Sequence, residues 1–198
     1  EDKRYASILR LDNQSWEYIA RGVRNSVGFD FHPISEKLFF TDNGRDWLGD
    51  DSPSCELNRV DVDGVFYGFP FKHASSIIDP EFGELNPGYD FVDPIDELGA
   101  HVAPTGIAFY DGAMFPEFRN NLFITLRGSW NRSSKVGYKV IRVTLDDDGN
   151  VLKKQDFISG WLKDENVSGR PSAPFVMSDG SLLISDDTAN VIYRVSKS

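Results

Sequence analysis

The sequence predicts an all-β chain, a β-propeller of four-stranded antiparallel blades with about three blades of a six-bladed ring among its 198 residues. Three observations lead there. Almost nothing has helical period; short apolar or alternating runs rich in Val, Ile, Phe and Tyr recur, separated by Gly, Pro, Asn and Asp. The chain is 40% hydrophobic and 26% charged, ordinary globular composition that suffices for a core. The decisive observation is internal repetition.

Taken in order, "ILRLDNQSWEYIARGVRNSVGFDFHPISEKLFFTDN" (8–43) runs parallel to "VIRVTLDDDGNVLKKQDFISGWLKDENVSGRPSAPFVMSDGSLLISDD" (140–187). Each has an outer strand, a turn, and a second strand ending near glycine. An arginine follows, then an apolar strand, a turn, and another apolar strand closing on two polar residues. Next, "ELNRVD" matches "VIYRVS". A looser copy, "APTGIAFYDGAMFPEFRNNLFITLRG" (103–128), leads into "YKVIRVTL". Blade copies therefore fall near 8–67, 101–145 and 140–198, with an insertion near 73–98, in one partial propeller domain spanning 1–198. Three blades do not close a ring, since propellers have about four to eight. The remaining blades, or a second copy, are expected to complete it, and the abrupt start "EDKRYASILRLD" favours truncation. Exposed blade edges would drive association.

Charge narrows the partners. With 31 acidic and 21 basic side chains the formal charge is -10, which disfavours nucleic acid. No apolar run approaches the roughly 20 residues of a membrane span, and the first residues lack the apolar core of a secretory signal. Cys55 is the only cysteine, so intrachain disulfides and thiolate-rich metal sites are excluded.

In a propeller blade the start of the innermost strand and the end of its neighbour share one face. In the first copy those points are Arg24-Asn25 and Asp42-Asn43; in the second, His101 and Arg127; in the third, Arg170 and Asp186-Asp187. Loops there are polar in any propeller, but converging Arg24, Arg127 and Arg170 in an acidic chain point to an anionic ligand.

These residues also carry a family resemblance. "RNSVGFDFHPISEKLFFTDNGRDWLGDDSPSCELNRV", "YGFPFKHA", "LGAHVAPTGIAFYDGAMFP", "GSWNRSSKVGYKVIRV" and "GSLLISDDTANVIYRVS" together resemble the C-terminal half of the glucose/sorbosone dehydrogenase family. The likeness is colinear over nearly the whole chain. "TDNGRDWLGDD", "GAHVAP" and "GSWNRS" point to its sorbosone-dehydrogenase-like branch. The resemblance implies a soluble quinoprotein that uses pyrroloquinoline quinone (PQQ) and calcium on a six-bladed propeller. It would oxidise an aldose or a sorbosone-like sugar or aldehyde by hydride transfer to the quinone C5 carbon.

The resemblance implies roles for individual residues. Arg24 and Asn25 match a pair contacting the quinone and substrate side of the pocket. The backbone carbonyls of Gly44 and Arg45 match the loop holding the cofactor-bound calcium, with Asp42 and Asn43 beside them. Glu56 matches a carboxylate on a second, structural calcium, to which the Tyr67 region would add a backbone oxygen; calcium takes oxygen ligands of these kinds. His101 and Thr105 line the mouth, Arg127 occupies the place of a cationic cofactor contact, and Arg170 matches an arginine that pairs with cofactor carboxylates. Cys55 stands where the family has Asp in "DELN", and Arg127 where the branch has His. The family's general-base histidine lies N-terminal to this chain and matches none of His32, His73 or His101. No catalytic residue is therefore assigned, and the chain alone is not expected to turn over. A periplasmic or secreted location is implied by the resemblance.

Other features have plainer readings. His32 reads as a turn residue before Pro33, and His73 as a surface or insertion residue. "LDDDGN" (145–150) lacks the later glutamate of an EF-hand loop and reads as a hairpin turn. "TDNGRDWLGDD" has Trp47 where that loop needs glycine, so calcium there would be bound differently. Trp130-Asn131-Arg132 reads as a docking loop at the mouth or as a packing element; Trp16 and Trp161 read as covers of blade faces. Two other functions share these features: a non-catalytic propeller binding carbohydrate or protein, and a calcium-dependent lactonase-like hydrolase.

Overall fold

Side-chain alternation builds this molecule as a row of small antiparallel sheets. The computed structural model describes residues 4–197. β1 (Ser7–Asp12) and β2 (Ser15–Arg21) form a hairpin. The chain then crosses to β3 (Phe29–Phe31), β4 (Leu38–Asp42) and β5 (Ser54–Arg59). An insertion follows, carrying the short strands β6 (Val65–Phe66), β7 (Lys72–His73) and β8 (Ile77–Ile78). β9 (Asp96–Ala100) closes the first four-stranded sheet in the order β3-β4-β5-β9, while β6 pairs back onto β2.

The second sheet is an uninterrupted meander of β10 (Pro104–Phe109), β11 (Leu122–Leu126), β12 (Lys139–Leu145) and β13 (Val151–Ile158). A small ribbon, β14 (Leu162–Lys163) with β15 (Asn166–Val167), leads into the third sheet of β16 (Pro171–Val176), β17 (Leu182–Asp186) and β18 (Val191–Val195). The β1–β2 hairpin thus corresponds to β12–β13, and each sequence copy spans the outer hairpin of one sheet and the inner strands of the next. The turn at 145–150 joins β12 to β13 through Asp146 N–H to Asn150 O and Gly149 N–H to Asp146 O.

The first strand of each of these three sheets packs against its counterpart: β10 lies against β3 and β4 on one side and against β16 on the other. That radial stacking is the architecture of propeller blades. It demands an absence of side chains at one level. A Cβ on Gly28, just before β3, would lie 3.0 Å from Gly106 Cα, and a Cβ on Gly106 would lie 2.6 Å from Ala173 Cα and 2.7 Å from Ser172 O. Thr125 and Thr105 tie the same level together, both hydroxyls donating to Ser172 O, at 2.8 and 2.7 Å.

Apolar cores fill the spaces between sheets, and strand alternation assigns each residue to one of them. Along β4, Phe39 enters the core between the first and second sheets with Leu57, Ile107 and Leu122, whereas Phe40 faces the β1–β2 hairpin with Ile19, Val23 and Tyr67. Along β11, Leu122, Ile124 and Leu126 join Phe39, while Phe123 turns to Tyr138, Trp161 and Ile184 between the second and third sheets. Trp161 therefore covers a sheet face as expected, but Trp16 is 53% exposed. No helix among the described residues is long and apolar enough to cross a membrane.

Candidate active-site pocket

The site is built where the inner strands end. Asp42, last residue of β4 and 5% exposed, turns its carboxylate onto the N–H groups of Arg24 (2.7 Å) and Asn25 (2.6 Å). Burial pushes its pKa up to about 6, with those N–H donors and the Arg24 charge pulling the other way. Asp186 plays the equivalent part at the end of β17, accepting the N–H groups of Arg170, Thr188 and Ala189 at 2.8 to 3.0 Å. Burial pushes its carboxyl up, but the three N–H donors win and hold it below the usual range. In the first and third sheets a buried aspartate thus fixes the loop that delivers an arginine, which is why those two repeats end on polar residues.

Seven predicted residues meet in one cavity of about 230 Å³: Arg24, Asn25, Asn43, Gly44, His101, Thr105 and Arg127. The Arg24 guanidinium donates to Asn43 O (3.1 Å) and pairs with Asp46 (3.0 Å). Asn43 returns its amide to Asn25 O (2.9 Å) and Pro104 O (3.3 Å). His101 donates Nε2–H to Gly49 O at 2.7 Å, and the Arg127 Nε–H bonds Asp187 at 2.8 Å. Cys55 lines the same cavity; burial raises its thiol pKa, so it presents a neutral group where a carboxylate was expected.

Four predicted residues lie outside this lining. Arg170 stacks 5.0 Å over the Tyr138 ring and donates to Gly128 O at 3.2 Å. The Arg45 side chain turns into the insertion and pairs with Asp79. Glu56 is buried beside Asp42, its partner across the β4–β5 ladder, and accepts Ala74 N–H (2.7 Å) and the Asn58 amide (2.9 Å). Burial and the Asp42 charge push its pKa up to about 7. Tyr67 is buried against Phe40, and its hydroxyl donates to Arg59 O at 2.9 Å.

Of the two placements read for His73, surface or insertion, the structure keeps the insertion and rejects the surface. His73 lies 4% exposed within the insertion and bonds Asp79 at 2.7 Å, because a buried carboxylate there needs donors. His32 does form a turn, with Glu36 N–H bonded to its carbonyl, but its ring is also buried against Phe39 and Phe109.

Sequence reasoning missed Asp46 and the meeting of two loops. Asp46 joins Arg24 to Asn131, whose amide lies 3.0 Å away. Arg132 donates to Asp50 O and pairs with Asp51, while Ser133 N–H bonds the Asp50 carboxylate. "TDNGRDWLGDD" and "GSWNRSS" are thus two halves of one structure. Each was conspicuous in the sequence, but their contact spans 85 positions between Asp46 and Asn131.

The model of the TrAA12-like family matches residues 88–198. The chain belongs to the TrAA12-like family. A Borreliella burgdorferi protein described only as uncharacterized is 45% identical over 199 residues, covering 98% of this chain and 52% of its own length. Iodide and calcium structures of a Trichoderma reesei carbohydrate-active enzyme of family AA12 superpose with TM-scores of 0.72 and 0.71 at 24% and 23% identity, covering 89% of this chain and 53% of that one. The holo PQQ domain of a Coprinopsis cinerea pyranose dehydrogenase gives 0.66 at 20% identity over 93% of this chain and 56% of that one. At such identities these structures show the fold alone: a β-propeller. This TrAA12-like chain spans about half the length of the relatives it matches.

Proposed function

We propose that this chain supplies part of the active-site wall of a PQQ- and calcium-dependent sugar or aldehyde dehydrogenase of the sorbosone-dehydrogenase-like branch, acting in the periplasm or outside the cell. The observation that carries this reading is the convergence of Arg24, Asn25, Asn43, Gly44, His101, Thr105 and Arg127 on one cavity in a chain of the TrAA12-like family. When bound, PQQ supplies a hydride acceptor at its C5 carbon, and calcium polarises the quinone.

The residues present fit an anionic quinone. Arg24 and Arg127 bring fixed positive charge to an otherwise acidic protein, and among the described residues each pairs with one carboxylate, Asp46 and Asp187. Guanidinium groups of this kind orient carboxylates by paired hydrogen bonds. Asn25 and Thr105 give the cavity neutral polar edges. Calcium would draw on mixed oxygens, because among the described residues no three His, Cys, Asp or Glu side chains gather as a metal cluster. The donor chemistry near Glu56 suits a hard cation: two buried carboxylates, Glu56 and Asp42, are cross-strand partners, and Asn58 Oδ1 is buried with no hydrogen-bond partner among the described residues. Proton abstraction from the sugar hydroxyl is not assigned to His32, His73 or His101, none of which matches the family's general-base histidine.

The test is to titrate the full-length protein with PQQ and calcium and follow reduction of an artificial acceptor by aldoses and sorbosone. A cofactor spectral change with sugar-dependent reduction is expected. No spectral change at saturating calcium would refute the quinoprotein reading.

A further inference from the structure

Trp47 and Trp130 are among the largest apolar side chains on the surface, 78% and 64% exposed, and they touch each other at the mouth. Their rings meet edge to face at 82°, centroids 5.5 Å apart. Trp47 has φ = +67°, a left-handed backbone conformation that bulky residues rarely adopt. Exposure and strain both oppose folding, so a role outside the fold accounts for them best.

The pair is held rigidly. Asp46, beside Trp47, binds Arg24 and Asn131; Asp50 binds Ser133 N–H; His101 binds Gly49 O. The two rings wall a second cavity of about 430 Å³ whose other sides are polar, from Asp50, Asn131, Arg132 and Ser133. Trp130 and Asn131 also line the smaller Arg24–Arg127 cavity, so the two spaces adjoin. Asn131 Oδ1 is buried there with no hydrogen-bond partner. Flat aromatic faces beside hydroxyl-binding groups suit a pyranose ring, whose axial C–H face is apolar and whose rim is hydroxylated.

We infer that the Trp47–Trp130 cleft is a second sugar subsite, one that stacks the next ring of an oligosaccharide whose terminal unit points toward the adjoining Arg24–Arg127 cavity, beside the quinone. The inference rests on the sugar-dehydrogenase reading for the terminal unit, but the cleft is tested without turnover. Trp47→Ala, Trp130→Ala and unmodified protein are titrated calorimetrically with cellohexaose, without PQQ, with circular dichroism confirming the fold. Saturable binding is expected for the unmodified protein, weakened at least about tenfold by either substitution, which is about 1.4 kcal/mol. No binding by the unmodified protein, or undiminished binding by both variants, overturns the assignment. Undiminished binding accompanied by loss of electron transfer to a protein acceptor in the full-length enzyme would move the tryptophans to partner docking. If cellohexaose binds through the tryptophans but PQQ produces no activity, the subsite stands and the dehydrogenase reading fails.

Discussion

Replacing Gly106 by alanine should cost about 2–4 kcal/mol of stability, a figure that follows from the close approach of β10 to β16. The added Cβ would sit 2.6 Å from Ala173 Cα, 2.7 Å from Ser172 O and 2.8 Å from Pro174 Cδ. Two of these are main-chain atoms and the third belongs to a proline ring, so no flexible side chain can move aside. To reach ordinary contact, β16 must retreat by roughly 1 Å, an overpacking that costs about 1–3 kcal/mol. The retreat also stretches the bonds from Thr105 and Thr125 to Ser172 O, each worth about 0.5–1.5 kcal/mol. Reduced freedom of the unfolded chain returns about 0.4–1 kcal/mol. Gly28→Ala is the graded control, since its Cβ would meet Gly106 Cα and Ile107 N at 3.0 Å. Urea unfolding followed by tryptophan fluorescence should rank Gly106→Ala well below Gly28→Ala, and Gly28→Ala below the unmodified protein. A Gly106→Ala midpoint equal to that of the unmodified protein would refute close inner-strand packing as the determinant of blade spacing.

Arg127→Ala in the full-length protein should weaken PQQ binding by roughly tenfold or more, as expected for a lost charged hydrogen bond, whereas Arg170→Ala, whose guanidinium is spent on Tyr138 and Gly128, should act mainly on thermal stability; equilibrium titration and melting curves separate the two. Asp79→Ala should cost about 3 kcal/mol at pH 7, because it strips Arg45, the buried His73 and the backbone N–H groups of Glu81 and Phe82 of their acceptor. Burial pushes the Asp79 carboxyl up, yet Arg45 and His73 hold it well below its usual value. Its stabilisation is thus full above the unfolded-state value of about pH 4 and is lost only as pH falls on toward the depressed native pKa, so denaturant midpoints of variant and parent should begin to converge below about pH 4 with much of the gap still present at about pH 3. Cys55, 2% exposed and with its thiol pKa raised by burial, should resist a thiol reagent at pH 8 in the native state and react fully in urea; rapid native labelling would contradict its placement.

Much of this molecule was legible in its residues because blades are local. Near-continuous apolar runs such as Leu38–Asp42 and Leu122–Leu126 specify strands with two buried faces, and the polar endings of the repeats mark where Asp42 and Asp186 cap the incoming loops. Those patterns are written within a few residues, so the sequence by itself determined the strands, the turns and the end of the sheets at which charge gathers. It could not place Glu56, Tyr67 or His73, whose burial depends on how the insertion folds back on the first sheet. Nor could it show that Trp47 meets Trp130, or that Asp46 serves both Arg24 and Asn131. Such contacts join loops from different blades, and their geometry is fixed by inter-sheet packing at Gly28, Gly106 and Ala173 rather than by anything local to either loop. Only the tertiary structure decided which of the predicted arginines face the cavity: Arg24 and Arg127 line it, while Arg170 is held against the Tyr138 ring.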